Sequence, residues 1–181
     1  MQQAMTRSAY LLRDVVDQYF AGLYTQASSA NSLGTVSVTT SAPTDCYDKV
    51  LVPLKVALDQ SNIPVEGRWI VLPPWLHGRL LMDGRFIKAN ESADPSALRN
   101  GEIGRAAGFT VLTSNNLVNV TGDDWAVLAG TDIAMSFAEQ IVSVEAYRPQ
   151  NSFSDAVRGL HLWGGKVIRP EALATATVSQ T

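Results

Sequence analysis

Apolar residues recur every three or four positions at the start of the chain, at Met5, Ala9, Leu12, Val16, Tyr19, Phe20 and Leu23. That spacing puts them on one face of an α-helix, while Arg7, Arg13, Asp14 and Asp17 fall mostly on other faces. No proline intervenes before Pro43. A helix of about 25 residues is therefore expected, roughly 37 Å long at 1.5 Å per residue, which suits a structural strut.

The pattern changes over residues 28–44, SSANSLGTVSVTTSAPT, which are small, uncharged and rich in Ser and Thr. The alternation Val36-Ser37-Val38-Thr39 predicts a short strand there, and the change of composition marks a boundary between two lobes. Beyond it Asp45 is placed to cap a second helix whose apolar face is Val50, Leu51, Leu54 and Leu58. Pro53 would cost about 3 kcal/mol inside that helix, so a kink or a helix start is expected at Pro53. Arg68 to Leu72 reads as a buried strand, ended by Pro73-Pro74, with a short helix over Trp75 to Met82. Gly101, Gly104 and Gly108 precede an alternating strand through Phe109, Val111 and Thr113. The last third is largely strand: Ile133, Met135 and Phe137 alternate, the run Ile141 to Ala146 alternates with one slip, and Val157 to Ile168 is rich in β-formers. The fold class is α+β, with no internal repeat.

Composition removes whole classes of function. With 181 residues and 46% hydrophobic content, the chain can build a sizeable core and is not a disordered segment. A net charge of −3 leaves no basic footprint for nucleic acid. The longest strongly apolar run, Trp69 to Leu76, is eight residues, against the roughly 20 that a membrane-spanning helix needs. Only 17% of residues are charged, where soluble domains carry about 25%. Ten of the 14 basic residues are arginine and four tryptophans are present, a bias that favours subunit interfaces. The chain is expected to leave an apolar patch exposed for partners.

Candidate chemistry is thin. Cys46 with His77 or His161 would be the nucleophile and base of a hydrolase, but no signature surrounds the cysteine, and Asp45 and Asp48 would raise its pKa. The ordinary reading is a small buried thiol. Gly101 to Gly108 matches neither glycine-rich phosphate-loop pattern and reads as a turn entering a strand. Asp123, Asp124 and Asp132 could be drawn as a cation site, yet adjacent aspartates point apart and such pairs are ordinarily solvated. No cofactor, metal or enzymatic activity is expected.

Three stretches carry a family resemblance: VEGRWIVLPPWLHGRLL (Val65 to Leu81), NGEIGRAAGFTVLTSNN (Asn100 to Asn116) and AYRPQNSFSDAVRGLHLWGGKVIRPEAL (Ala146 to Leu173). With the leading helix, DKVLVPLKVALDQSNIP and AGTDIAMSFAEQI, they occur in the order found in major capsid proteins of tailed bacteriophages, and the chain resembles that family, which has the Hong Kong 97-type shell fold. The resemblance implies a peripheral domain over 1–33 and 131–181, built from the spine helix and long antiparallel strands, and an axial domain over 34–130 with a small sheet flanked by helices. It implies a structural subunit that assembles with copies of itself into pentamers and hexamers of an icosahedral head. Scaffolding and portal proteins would be further partners, packaged double-stranded DNA would be touched nonspecifically at the inner face, and no membrane would be involved. The protein would be made in the bacterial host cytoplasm and reside in the virion. Loops at Trp75 to Phe86 and Asn116 to Asp124 would point toward the capsomer centre, which makes Trp75, Arg79, Arg85, Phe86, Asn116, Asp123 and Asp124 the candidate interface residues. The chain opens almost directly at the spine helix, without the family's N-terminal arm and extended loop, so on its own it is expected to form monomers or small oligomers. An encapsulin-like nanocompartment shell or a domesticated prophage remnant is the alternative within the same fold.

Overall fold

The computed structural model describes residues 2–39, 41–84, 104–151 and 156–180. Helix α1 spans Gln2–Gly22, 21 residues and roughly 31 Å, and runs into a 3-10 turn at Leu23–Gln26 that buries Leu23. Among the described side chains of the expected apolar stripe, Leu12 and Tyr19 are 49% and 42% exposed, Val16 and Phe20 are half-buried with Phe20 packed against the core, and Leu23 is buried in it.

Seven strands form one sheet: β1 (Ser32–Val38), β2 (Arg68–Leu72), β3 (Arg105–Ala106), β4 (Phe109–Thr113), β5 (Asn119–Thr121), β6 (Asp124–Thr131) and β9 (Leu173–Gln180). Their order is β1-β9-β6-β2-β4-β3, with β5 paired to β6. β2 lies inside the sheet, parallel to β4 and antiparallel to β6, which explains its continuous apolar run. Between β3 and β4, Ala107 and Gly108 both take positive φ (51° and 86°), as a two-residue hairpin turn requires. Helices α2 (Val52–Gln60) and α3 (Pro74–Met82) supply the other half of the core. Leu51, Leu54, Leu58, Leu76 and Leu80 are fully buried in one cluster with Ile70, Leu72, Phe109, Val127, Leu173 and Val178. Each such side chain contributes about 1.5–3 kcal/mol by leaving water.

Of two local expectations, the helix start at Pro53 holds to within one residue and the Asp45 cap does not. Residues Cys46–Leu51 form a π-helical turn that leads directly into α2, so Pro53 falls in the first turn of α2, where its missing N–H costs little. Asp45 does not cap. Its carboxylate instead accepts the Thr39 N–H at 3.2 Å and pairs with Lys49 at 2.8 Å, and the Lys49 ammonium holds the Asp45 carboxyl below the usual range.

Two buried polar groups tie the connections to the core. Arg68, 2% exposed, donates from Nε to the Pro64 carbonyl at 2.9 Å and from Nη2 to the Ile63 carbonyl at 2.6 Å, and its Nη1 lies 2.6 Å from Asp59 Oδ1. Asn31 donates to the Glu171 carbonyl at 2.6 Å and accepts from Ser61 Oγ at 2.8 Å, which fixes the entry to β9 against the end of α2.

The remaining strands, β7 (Met135–Tyr147) and β8 (Ala156–Val167), form a separate antiparallel ribbon in register from Met135↔Val167 to Tyr147↔Ala156. The register shifts once between Ile141 and Ser143, where the sequence alternation slips. The resemblance implies a peripheral domain that includes residues 131–181; within that span β9 pairs in the large sheet, parallel to β1 and antiparallel to β6. α1 docks on the ribbon through its last turns. Tyr19 Oη donates to the Gly165 carbonyl at 2.8 Å, and the Tyr19 and Phe20 rings sit edge-on to Trp163 and Phe137 at 5.0 and 5.5 Å. Gly165 lets the Phe20 ring approach the strand closely, because a Cβ there would overlap the ring and force it to shift.

Candidate subunit-interface surfaces

The seven candidate interface residues do not form one site. Trp75 and Arg79 lie four residues apart on α3, both half-buried, with Trp75 packed against the core. Arg85 and Phe86 lie outside the described residues. Asn116 sits in the loop after β4, where its Nδ2 donates to Asp14 Oδ1 on α1 at 2.6 Å and its backbone N–H donates to Ser114 Oγ at 3.1 Å. Asp123 is exposed at the β5–β6 turn, beside Gly122 with φ 60°, and Asp124 opens β6. Asn119 Nδ2 closes that turn by donating to the Gly122 carbonyl at 2.7 Å.

The hydrolase alternative does not survive the geometry of Cys46. Its side chain is 0% exposed, and burial, followed by the Asp83 carboxylate, pushes the thiol up to about 12. A nucleophile must be a thiolate reachable by substrate, and this group is neither. Burial also holds the His77 imidazole below its usual value, and His161 lies on β8 with Nε2 3.5 Å from Glu139 Oε2. Among the described residues no group of three or more His, Cys, Asp or Glu side chains could hold a metal ion.

What the structure leaves open is apolar surface. On α1, Tyr10, Leu11, Leu12, Val15 and Tyr19 are 42–69% exposed. On and beside the ribbon, Ile133, Phe137, Leu162 and Ile168 are 44–67% exposed. Sequence periodicity missed Tyr10, Leu11 and Val15 because it scored a single helix face; a helix apolar on more than one side was the available signal. Between α1 and the large sheet runs a hollow of about 430 Å³, floored by Trp69, Val71, Leu112 and Leu128 and walled by Phe20 and Ala21. It continues into a more polar cleft of about 390 Å³ lined by Tyr10, Arg13, Asp14, Asp17 and Asn116.

A protein-family model described as phage capsid protein matches residues 1–176. The chain belongs to the phage capsid protein family. A solved chain from Mycobacterium phage Che8 is 32% identical, with a TM-score of 0.77 over 97% of this chain and 63% of its own length. The mature capsid of bacteriophage PhiM1 is similar at a TM-score of 0.73 and 10% identity, covering 98% of this chain and 64% of that one. The SrpI encapsulin complex from Synechococcus elongatus is similar at 0.63 and 13%, covering 98% and 65%. This capsid-family chain therefore has the α+β, Hong Kong 97-type fold expected from its sequence. It spans less than two thirds of the length of these solved chains. No curated protein matches it. None of the helices among the described residues is long and apolar enough to cross a membrane.

Proposed function

We propose that this chain is a major capsid subunit of a tailed double-stranded DNA bacteriophage or prophage, acting by geometry rather than by chemistry. The observation that carries the reading is the family match over residues 1–176, and the exposed apolar surfaces are what such a subunit needs. α1 with the β7–β8 ribbon would be the peripheral domain. The seven-stranded sheet with α2 and α3 would be the axial domain, with β9 returning to it. Copies of the chain would cover the α1 face and the ribbon by heterologous contacts, which close into five- and six-membered rings. Trp75, Arg79, Asp123 and Asp124 would face neighbours around those rings, together with Arg85 and Phe86. Scaffolding and portal proteins, and packaged DNA at the inner face, are the further partners of this reading, and the virion is where the protein resides.

Leu12→Glu and Val15→Glu test it, because each puts a charge on a side chain that is about half exposed in the subunit alone. Both variants should keep the circular dichroism spectrum and melting temperature of the parent while particle formation in cells carrying the rest of the head genes is lost. Normal particle yield from both would contradict the reading. Likeness to an encapsulin supports a second reading, a nanocompartment shell in a cell. The contents of purified particles separate the two: double-stranded DNA for a head, a protein cargo for a compartment.

A further inference from the structure

Among its described residues, α1 makes two contacts of different character with the rest of the chain. Near its end, Tyr19 donates to the Gly165 carbonyl, and Phe20 lies against Gly165 and Phe137, so this support reaches the ribbon. Further back, Asp14 Oδ1 accepts from Asn116 Nδ2 at 2.6 Å, so this support reaches the loop that follows β4 of the large sheet. Gln18 Nε2 donates to the other Asp14 oxygen at 3.0 Å and holds the carboxylate in place, and the Asn116 N–H on Ser114 Oγ shapes the loop. Around the Asp14–Asn116 bond lies the open polar cleft, and Tyr10, Leu11, Leu12 and Arg13 beyond it are exposed.

We propose that Asn116 is a latch that sets the angle between α1 and the large sheet, with the Phe20–Gly165 contact as the pivot. A rod needs two supports to fix its direction. The pivot combines the Phe20 ring over Gly165 with the Tyr19 hydrogen bond to the Gly165 carbonyl, and because both lie within one turn of α1 they hold its end more firmly than its tilt. Further back, the charge-assisted Asp14–Asn116 hydrogen bond, short and directional, ties α1 to the loop of the large sheet. Thirteen residues separate Phe20 from Arg7, about 20 Å of helix, so a tilt of about 15° at the pivot carries Arg7 about 5 Å. In a shell, that tilt would change the angle at which the two lobes meet neighbouring subunits. This consequence rests on the capsid reading; the latch itself does not.

Spin labels at Arg7→Cys on α1 and Thr121→Cys on the β5–β6 hairpin, both exposed positions, report the angle by pulsed dipolar spectroscopy, with buried Cys46 left in place. The labelled parent should show one narrow distance distribution. Asn116→Ala and Asp14→Ala should each widen it at least twofold. The exchange Asp14→Asn with Asn116→Asp keeps a donor and an acceptor across the same gap and should restore the width. Asp17→Ala, in the same cleft, should leave it narrow, and Gly165→Ala should move the mean. Asn116→Ser, too short to reach Asp14, takes the place of Asn116→Ala if that variant loses its circular dichroism. Unchanged width in both single variants overturns the latch, as does widening that the exchange does not reverse; an unmoved mean in Gly165→Ala overturns the pivot.

Discussion

Arg68 carries a guanidinium into a nearly closed site, where it satisfies two carbonyls and pairs with Asp59. Asp59 is 43% exposed and can be hydrated without Arg68, whereas the buried Ile63 carbonyl depends on Nη2 and the Arg68 charge, 1% exposed, depends on Asp59. Arg68→Ala is expected to cost about 2–3 kcal/mol in chemical denaturation, and Asp59→Asn a comparable loss of about 2–3 kcal/mol, because it leaves the Arg68 charge, 1% exposed, without its partner; a loss below about 0.5 kcal/mol for Asp59→Asn would show that the ion pair contributes little. Cys46 makes the companion case. Its acidic neighbours Asp45 and Asp48 correctly suggested a raised pKa, but the main cause is burial, and the carboxylate that adds to it is Asp83, 37 positions away. Native protein should resist alkylation by iodoacetamide at pH 8 and react once unfolded in guanidinium, while Cys46→Ala keeps the fold; rapid native labelling would contradict the buried thiol. Local sequence shows which residue types are available at a site, but contacts such as Asn116 to Asp14 span 102 positions and have no local signature.

Among the elements, periodicity was a good guide wherever a side chain's environment follows its own neighbours. α1, the strand Arg68–Leu72, the helix after Pro73 and even the slip near Val142 were legible from spacing. Pairing was not. The alternating run LATATVSQ of β9 announces a strand, but nothing within it selects β1 and β6 as partners over the ribbon next to it in sequence. The docking of α1 was also invisible, since it turns on one glycine among several in β8. Gly165→Ala should lower stability by about 1–3 kcal/mol through overlap with Phe20 and raise hydrogen exchange in the last turns of α1. Gly164→Ala, with open space over its Cα, should stay within about 0.5 kcal/mol. Equal effects at the two positions would mean that Phe20 does not seat on Gly165.

For the whole molecule, the low charged fraction and the uncovered helix describe one property. A chain with 17% charged residues has buried a core around α2, α3 and the large sheet, yet leaves Tyr10, Leu11, Leu12, Val15 and Tyr19 on α1 and Phe137 and Leu162 on the ribbon open. Composition alone indicated that such surface would exist; the ordered set of family stretches indicated why; neither could say that α1 and the ribbon carry it in addition to Leu81, Met82 and Val120 in the candidate loops. The most direct test is cryo-electron microscopy of particles purified from cells carrying the gene in its native context. The account predicts an icosahedral shell whose repeating density contains α1, the β7–β8 ribbon and the seven-stranded sheet, with Tyr10, Leu11, Leu12 and Val15 covered by adjacent subunits. A shell built from another chain, with this protein left outside the particles and its α1 face still open, would contradict it.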